Sequence, residues 1–331
     1  MNQGGWIMDD KVQIIIPTIT KDYLRMRDIV PERIYKYLPA KELVFIGNDE
    51  LCDMVEADIS HKYAGIPIRT INEEELVKRQ PVVDCVLKKS STVDEAIASE
   101  VRPGWYYQQF LKMSFSAICE DEYYVSWDMD TVPLRVLSFF DEDGRPAFDL
   151  KSEYNPRYFR TIEKLLGLKK TVEGSFVSEH MIFCTKYMKE LIEKIGASHV
   201  EGSNYTEKAV MAVTGDDIIL GFSEFETYGT YVTDKYPDAY SYRKFESFRR
   251  GSWFVKESDL NEDDIAWLAK DYDAITFENA QQIPDMVQLF RNPKYRNAMS
   301  AKKFYETVLE SGYFGEYANG RINAGSWFAP V

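Results

Sequence analysis

Cysteine is scarce in this 331-residue chain, and its spacing does not suggest a metal site. No CxxC pair occurs, so we predict free thiols in a reducing compartment rather than zinc ligands, at Cys52, Cys85, Cys119 and Cys184. No apolar run approaches the ~18–20 residues that span a bilayer. The first residues also lack the basic and apolar regions of a signal peptide. We therefore expect a cytoplasmic protein, at most peripheral at the inner face of a membrane.

Basic residues are also fewer than acidic residues. The chain has 40 Lys and Arg against 54 Asp and Glu, a formal charge of −14, which excludes a protein that coats nucleic acid. Two local basic clusters could still contact a diphosphate or an anionic membrane, although solvated helix faces explain them equally well. They comprise Arg243, Lys244, Arg249 and Arg250, and, nearer the end of the chain, Lys294, Arg296, Lys302 and Lys303.

Apolar residues are abundant, and they are arranged as buried strands alternating with helices. Hydrophobic residues make up 45% of the chain, enough for a sizeable core. Short β-branched runs at 12–16, 43–47 and 66–71 predict strands covered on both faces. The alternation predicts an α/β fold, with an open mixed sheet flanked by helices and functional groups at the carboxyl ends of the strands. We expect one α/β domain over 1–250 and a mostly helical extension over 251–331; the motifs described below would make the first a nucleotide-sugar-binding catalytic domain.

Two carboxylates follow the strand predicted at 123–127. Asp128 and Asp130 are separated by one residue and lead into an extended Val-Pro segment. A turn at this point can direct both side chains at one divalent cation, and hard oxygen ligands suit Mg²⁺ or Mn²⁺. Such a cation would neutralise the phosphates of a nucleotide-sugar. Asp-X-Asp also occurs by chance as a turn or cap, so the position after a buried strand is what favours a metal site.

Three segments resemble a family of bacterial and viral polysaccharide glycosyltransferases of the GT-A fold. They are GWYYQQFLK at 104–112, WDMD at 127–130 and SEFETYGTY at 223–231. The resemblance runs from about residue 12 to 232, and it implies a GT-A-like sheet that binds a nucleotide-sugar at the carboxyl ends of its first strands.

The resemblance also implies ligands and site residues. It places Pro17, Thr18 and Asp49 near the base and ribose of a UDP-, GDP- or dTDP-linked sugar. Gln109 and Lys112, three residues apart on one helix, would face the diphosphate or sugar. A solvated helix charge is an equal alternative for Lys112. Asp128 and Asp130 would bind Mn²⁺ or Mg²⁺. The acceptor is expected to be a saccharide, free or lipid-linked.

An inverting transfer, the outcome we favour, needs a carboxylate that deprotonates the acceptor hydroxyl. If the segment is extended, Glu224 and Glu226 face the same side, and we favour Glu226 as the base. Simple pairing of these glutamates with Arg243 and Lys244 is an alternative. His180 is a further catalytic candidate, although a lone histidine beside an apolar run is more often a core residue. The pair Asp216–Asp217 is a rival base, or equally a helix cap.

Two other functions compete with glycosyl transfer. A sugar nucleotidyltransferase also uses paired carboxylates and metal, but the segment after the first strand, residues 16–21, has no glycine for a phosphate loop. A catalytically inactive carbohydrate-binding or scaffold protein on the same fold is the second rival.

Overall fold

A computed structural model describes residues 11–278 and 284–313 of the chain. The strands are β1 Val12–Pro17, β2 Ala40–Gly47, β3 Ile68–Asn72, β4 Tyr123–Trp127, β5 Thr131–Pro133, β6 Ala147–Leu150, β7 His180–Cys184, β8 Ser241–Lys244, β9 Ser247–Phe248 and β10 Ala274–Thr276. The helices are α1 Thr20–Met26, α2 Val30–Tyr37, α3 Asp49–Lys62, α4 Glu73–Leu76, α5 Arg79–Ser90, α6 Glu95–Glu100, α7 Pro103–Ser114, α8 Pro156–Leu166, α9 Thr185–Gly196, α10 Tyr205–Ala212, α11 Glu224–Lys235, α12 Glu262–Leu268, α13 Pro284–Phe290, α14 Pro293–Arg296 and α15 Ala301–Glu310. None of the helices in these ranges has the length and apolar character that crossing a membrane requires.

The central sheet has the strand order β3-β2-β1-β4-β7. The first four strands are parallel, and β7 runs antiparallel to β4. The apolar residues of β1 and β2 are fully buried because helices cover both faces of the sheet, as their uninterrupted hydrophobic runs predicted. The predicted fold class, a mixed sheet flanked by helices, is confirmed.

The chain reverses its direction of sheet growth next to β1. It passes from β1 to β2 and β3 on one side, and then returns to place β4 on the other side of β1. In open α/β sheets this reversal opens a crevice at the carboxyl ends of the two strands, and ligands bind there. The segments that follow β1 and β4 are therefore where the topology alone places a binding site.

The chain divides into two compact units. The first comprises residues up to Met129 together with Ser138–Phe245, and the second comprises Asp130–Leu137 and the chain from Glu246 onward. The predicted division at residue 250 did not include the short segment that precedes Ser138. The second unit contains a three-stranded sheet in the order β5-β10-β9, and the described helices α12 to α15. The last residues of the predicted 251–331 extension, from 314 on, lie outside the described residues.

Helix α11 corrects one prediction. Residues 224–226 are the first turn of a helix rather than extended chain, so Glu224 and Glu226 point in different directions. The side chain of Ser223 caps the helix by accepting a hydrogen bond from the Glu226 N–H at 3.2 Å. Buried aromatic residues recur at the helical spacing of Phe225 and Tyr228, and this apolar stripe packs α11 into the core.

Gly229 lets the segment before β7 pack directly against α11. A methyl group at this position would lie 2.3 Å from a ring atom of Phe176, well inside van der Waals contact. The same segment is bonded to α11 by Glu226, which is fully buried. Its carboxylate accepts hydrogen bonds from Lys170 Nζ at 2.8 Å, Ser175 Oγ at 2.7 Å and the Phe176 N–H at 2.8 Å. Glu226 and Gly229 therefore fix residues 170–176 on the helix.

This packing makes Gly229→Ala destabilising, although alanine is normally the better helix former. We expect the free energy of unfolding to fall by about 1–3 kcal/mol, as for other overpacked cores. Urea unfolding followed by circular dichroism measures it. Gly196→Ala, at the end of α9 with no atom within 4 Å of the added methyl, is the control and should change little. Equal stabilities of Gly229→Ala and the wild type would contradict the packing argument.

Candidate active site

The carboxyl edge of the central sheet brings several predicted site residues together. Pro17 ends β1, and the Thr18 N–H donates to the carbonyl of Ile46 in β2 at 3.0 Å. Asp49 begins α3 directly after β2, and its side chain accepts a hydrogen bond from Asn72 at the end of β3. Because these strands are parallel, Thr18, Asp49 and Asn72 lie at the same edge as the residue that follows β4.

That residue is Asp128, and its backbone is fixed by the neighbouring strand. The Asp128 N–H donates to the carbonyl oxygen of Glu179 at 3.0 Å, just before β7. The preceding residue, Trp127, pairs in register with His180, and the two rings stack at 4.7 Å. The backbone that carries the Asp128 carboxylate is therefore held in place by the start of β7 and the residue before it.

The Asp128 side chain is bonded to a buried lysine. Lys112 Nζ lies 2.9 Å from Asp128 Oδ1 and 3.0 Å from Glu224 Oε1, and it sits 4.5 Å from the centre of the Phe225 ring. Burial alone would lower the pKa of Lys112, but the charges of Asp128 and Glu224 outweigh it and hold that pKa above its usual range. Lys112 is thus a permanent cation that faces two carboxylates, not the solvated helix charge that was the alternative.

The two glutamines before Lys112 connect α7 to its neighbours. Gln108 Nε2 donates to the carbonyl of Pro17 at 3.3 Å, and Gln109 Oε1 accepts from the Glu224 N–H at 3.0 Å. Gln109 is buried and, like Lys112, contacts the first turn of α11. Both side chains therefore make contacts within the first unit, and their orientation toward a diphosphate or sugar stays a prediction.

Asp130 begins the second unit, where its carbonyl oxygen accepts a hydrogen bond from the Phe277 N–H at 2.8 Å. The rival acidic pair has other partners. Asp217 is bound by Arg160 through two hydrogen bonds of 2.8 and 2.9 Å, with Arg157 at 3.7 Å, and Asp216 is exposed. Asp217 thus anchors α8.

The predicted catalytic side chains are enclosed. Glu226 has the three hydrogen-bond donors described above, and the Glu224 carboxylate, 6% exposed, faces Lys112. His180 is buried among Trp127, Phe139 and Phe245. Its Nδ1 makes no hydrogen bond to any described residue.

Sequence reasoning did not identify Asp149, a buried carboxylate in β6. Arg243 in β8 binds both of its oxygens, with Nη2 3.3 Å from Oδ2. His180 Nε2 lies 2.8 Å from Oδ2, a close contact outside hydrogen-bond geometry. Burial alone would raise the pKa of Asp149, but His180 and then Arg243 lower it to about 2. The sequence did contain one indication of a buried carboxylate here, a single aspartate within the apolar strand Ala-Phe-Asp-Leu.

The site offers few ligands to a divalent cation. Within residues 11–278 and 284–313, no three His, Cys, Asp or Glu side chains gather as a metal-binding group. Asp128 nevertheless offers a hard oxygen, because Oδ2 makes no hydrogen bond to a described residue and the side chain is 28% exposed. Mg²⁺-type ions bind through one or two carboxylates together with substrate phosphates and water. The Asp128 carboxylate can supply one ligand of that incomplete set.

A family profile described only as one of unknown function, DUF6492, matches residues 9–282. The chain belongs to the DUF6492 family. No curated protein sequence matches it.

Several solved structures are similar in chain path. Mouse xyloside xylosyltransferase 1 in its apo form matches with a TM-score of 0.40 and 11% identity, over 83% of this chain and 100% of its own. The bifunctional glycosyltransferase WbbM matches with a TM-score of 0.44 and 10% identity, over 87% of this chain and 51% of its own. GlyE from Streptococcus pneumoniae TIGR4 matches with a TM-score of 0.36 and 10% identity, over 92% of this chain and 64% of its own.

The Asp149 cluster predicts a defined pH dependence of stability. The folded pKa of Asp149, about 2, lies below its ordinary value of 3.8. The ionised carboxylate facing His180 and Arg243 therefore stabilises the folded state above about pH 4, and this contribution is lost as the pH falls to about 2. We expect Asp149→Asn to lower the free energy of unfolding by about 2 kcal/mol at pH 7, with a smaller difference from the wild type at pH 3.

Urea titrations between pH 7 and pH 2.5 check this expectation. Asp143→Asn is the control, because the Asp143 side chain is 80% exposed and should contribute little at any pH. A constant difference between Asp149→Asn and the wild type over this range would show that the charge of Asp149 is not what stabilises the cluster.

Proposed function

We propose that this protein is a glycosyltransferase that moves a sugar from a nucleotide-sugar donor to a saccharide acceptor, with a divalent cation at Asp128. The acceptor class and a role in surface-polysaccharide synthesis follow from the resemblance of the three sequence segments. The observation that carries the proposal is the position of Asp128. It follows β4 at the reversal point of a parallel sheet, with one carboxylate oxygen bound to Lys112 and the other open.

The neighbouring residues support a nucleotide site at the same edge. Thr18 and Asp49 follow β1 and β2, and Gly47 allows the close approach of these segments. A methyl group on Gly47 would lie 2.9 Å from the Thr18 carbonyl oxygen and 2.2 Å from a Leu51 methyl carbon. We propose that Pro17, Thr18 and Asp49 contact the base and ribose. Bound Mn²⁺ or Mg²⁺ would neutralise the charge that develops on the leaving diphosphate.

The proposal gives the enclosed side chains supporting roles. Glu226 binds residues 170–176, Glu224 binds Lys112, and His180 packs beside Trp127. These contacts favour positioning over contact with an acceptor hydroxyl. Inversion of configuration stays a prediction, and the anomeric NMR signal of the product tests it.

Ligand-induced stabilisation provides the test of the donor site. UDP, GDP, dTDP and CMP are each added with and without Mn²⁺, and the melting temperature is recorded. A ligand that binds only the folded state raises this temperature by mass action, by a few degrees at about 100 times its Kd. We expect one nucleotide to act in an Mn²⁺-dependent way, and Asp128→Asn to abolish its effect and the transfer reaction.

The exposed variant Asp143→Asn, in the same unit, is the matched control and should respond like the wild type. No Mn²⁺-dependent shift with any of the four nucleotides would refute the donor site and favour the scaffold function. A full shift in Asp128→Asn would remove Asp128 from the site.

A further inference from the structure

The strongest unassigned feature beside the candidate site is the buried ammonium of Lys112. It reaches no ligand surface, because its side chain is 6% exposed. It contacts the Asp128 and Glu224 carboxylates and the Phe225 ring. Both ion pairs of Lys112 are with carboxylates, so a side chain this enclosed would act on a ligand through them.

We propose that Lys112 is a positioning residue that orients the Asp128 carboxylate for a divalent cation, and that Glu224 holds Lys112 for this task. This inference rests on the proposed function, since it needs Asp128 to bind the cation. Lys112 takes Oδ1 of Asp128 and leaves Oδ2 open. A carboxylate with one oxygen bound by the protein presents the other in one direction. Such outer partners are worth about 10–100-fold in metal affinity.

Glu224 holds the Lys112 ammonium in place from the start of α11. It begins α11, its N–H donates to Gln109 Oε1 at 3.0 Å, and its carboxylate is 3.0 Å from Lys112 Nζ. Gln109 and Lys112 are three residues apart on α7, so two bonds join this helix face to one residue of α11. Lys112 is thus fixed by Glu224 independently of Asp128, as a positioning role requires.

The charge count agrees with this role. Asp128 and Glu224 carry two negative charges, and Lys112 carries one positive charge, so the cluster keeps one net negative charge. A lysine that fully neutralised Asp128 would oppose a metal. With Glu224 present, the site remains anionic while Asp128 is held in place.

The test compares Lys112→Met with the wild type. Mn²⁺ binding is measured by electron paramagnetic resonance titration, first with Mn²⁺ alone and then with UDP, GDP, dTDP or CMP. We expect Lys112→Met to weaken Mn²⁺ binding by about 10–100-fold, without changing the binding of nucleotide in the absence of metal. Unchanged or tighter Mn²⁺ binding would overturn the proposal, because it would show that the ammonium only repels the cation.

Two further variants separate positioning from folding. Lys112→Met strands the buried Glu224 charge, so the double variant Lys112→Met/Glu224→Gln removes that charge while keeping the volume, and it should fold and still bind Mn²⁺ weakly. Glu226→Gln is the matched control: it alters a buried glutamate of the same helix turn that binds Lys170 rather than Lys112. It should lower stability and leave Mn²⁺ affinity intact.

Asp128→Asn distinguishes the two proposals. If Asp128→Asn leaves Mn²⁺ binding intact, the metal site itself is wrong. If it abolishes Mn²⁺ binding while Lys112→Met or the double variant does not weaken it, only the positioning role of Lys112 is wrong.

Discussion

The buried contact of Lys112 with Asp128 and Glu224 is the interaction around which the first unit is arranged. Removing three charges from water is costly, and mutual attraction offsets the cost only where the geometry is close and complete. The distances of 2.9 and 3.0 Å are those of close ion pairs, and the two carboxylates raise the pKa of Lys112 above its usual range in spite of its burial. Well-packed apolar residues would often serve stability equally well, so the retained charges point to a requirement at Asp128 beyond folding.

Residues 104–112 and 223–231, which contain Lys112 and Glu224, carry side chains whose hydrogen bonds connect helices and strands. In α7, Tyr106 and Tyr107 donate to the carbonyls of Ile218 and Val77, both at 2.7 Å. In α11, the hydroxyl of Tyr228 accepts the Cys184 N–H at 2.8 Å, where β7 ends. With Gln109, Lys112 and Glu224 between them, these side chains bring α7, α11 and the ends of β4 and β7 into one arrangement. Most residues of the two sequence motifs therefore support the candidate site by connecting the helices and strands around it.

The sequence allowed the sheet and its edge to be predicted, because strands buried on both faces have short, uninterrupted runs rich in β-branched residues. The position of Asp128 after β4 follows from such a run. The conformation of residues 224–226 was predicted incorrectly for a physical reason. The alternation of Glu224, Phe225 and Glu226 fits a strand, but the apolar residues recur three residues apart through Tyr228, which fits a helix, and tertiary burial selected the helix.

The partners of buried charges were beyond sequence reasoning because they depend on long-range contacts. Glu226 lies 56 residues from Lys170, and Asp149 lies 94 residues from Arg243. A strand carrying one aspartate signals only that a partner must exist, since an unpaired buried carboxylate would be too costly. The start of the second unit was also beyond sequence reasoning, because it falls at Asp130, within the short motif of residues 127–130.

Asp128 is held by contacts to its backbone, to its side chain and to the residue before it. Its N–H is bonded to Glu179, its Oδ1 is bonded to Lys112, and the residue before it stacks on His180. His180 in turn faces Asp149, whose carboxylate Arg243 binds from β8. The backbone and the preceding ring are thus fixed by the start of β7 and the residue before it, and the side chain is fixed by α7. A functional group must be held to within about 0.5 Å by residues that are themselves fixed, and independent supports of this kind achieve it. A carboxylate needed only as a turn or cap would not require them, so these supports favour the proposed role of Asp128 Oδ2 in binding a cation.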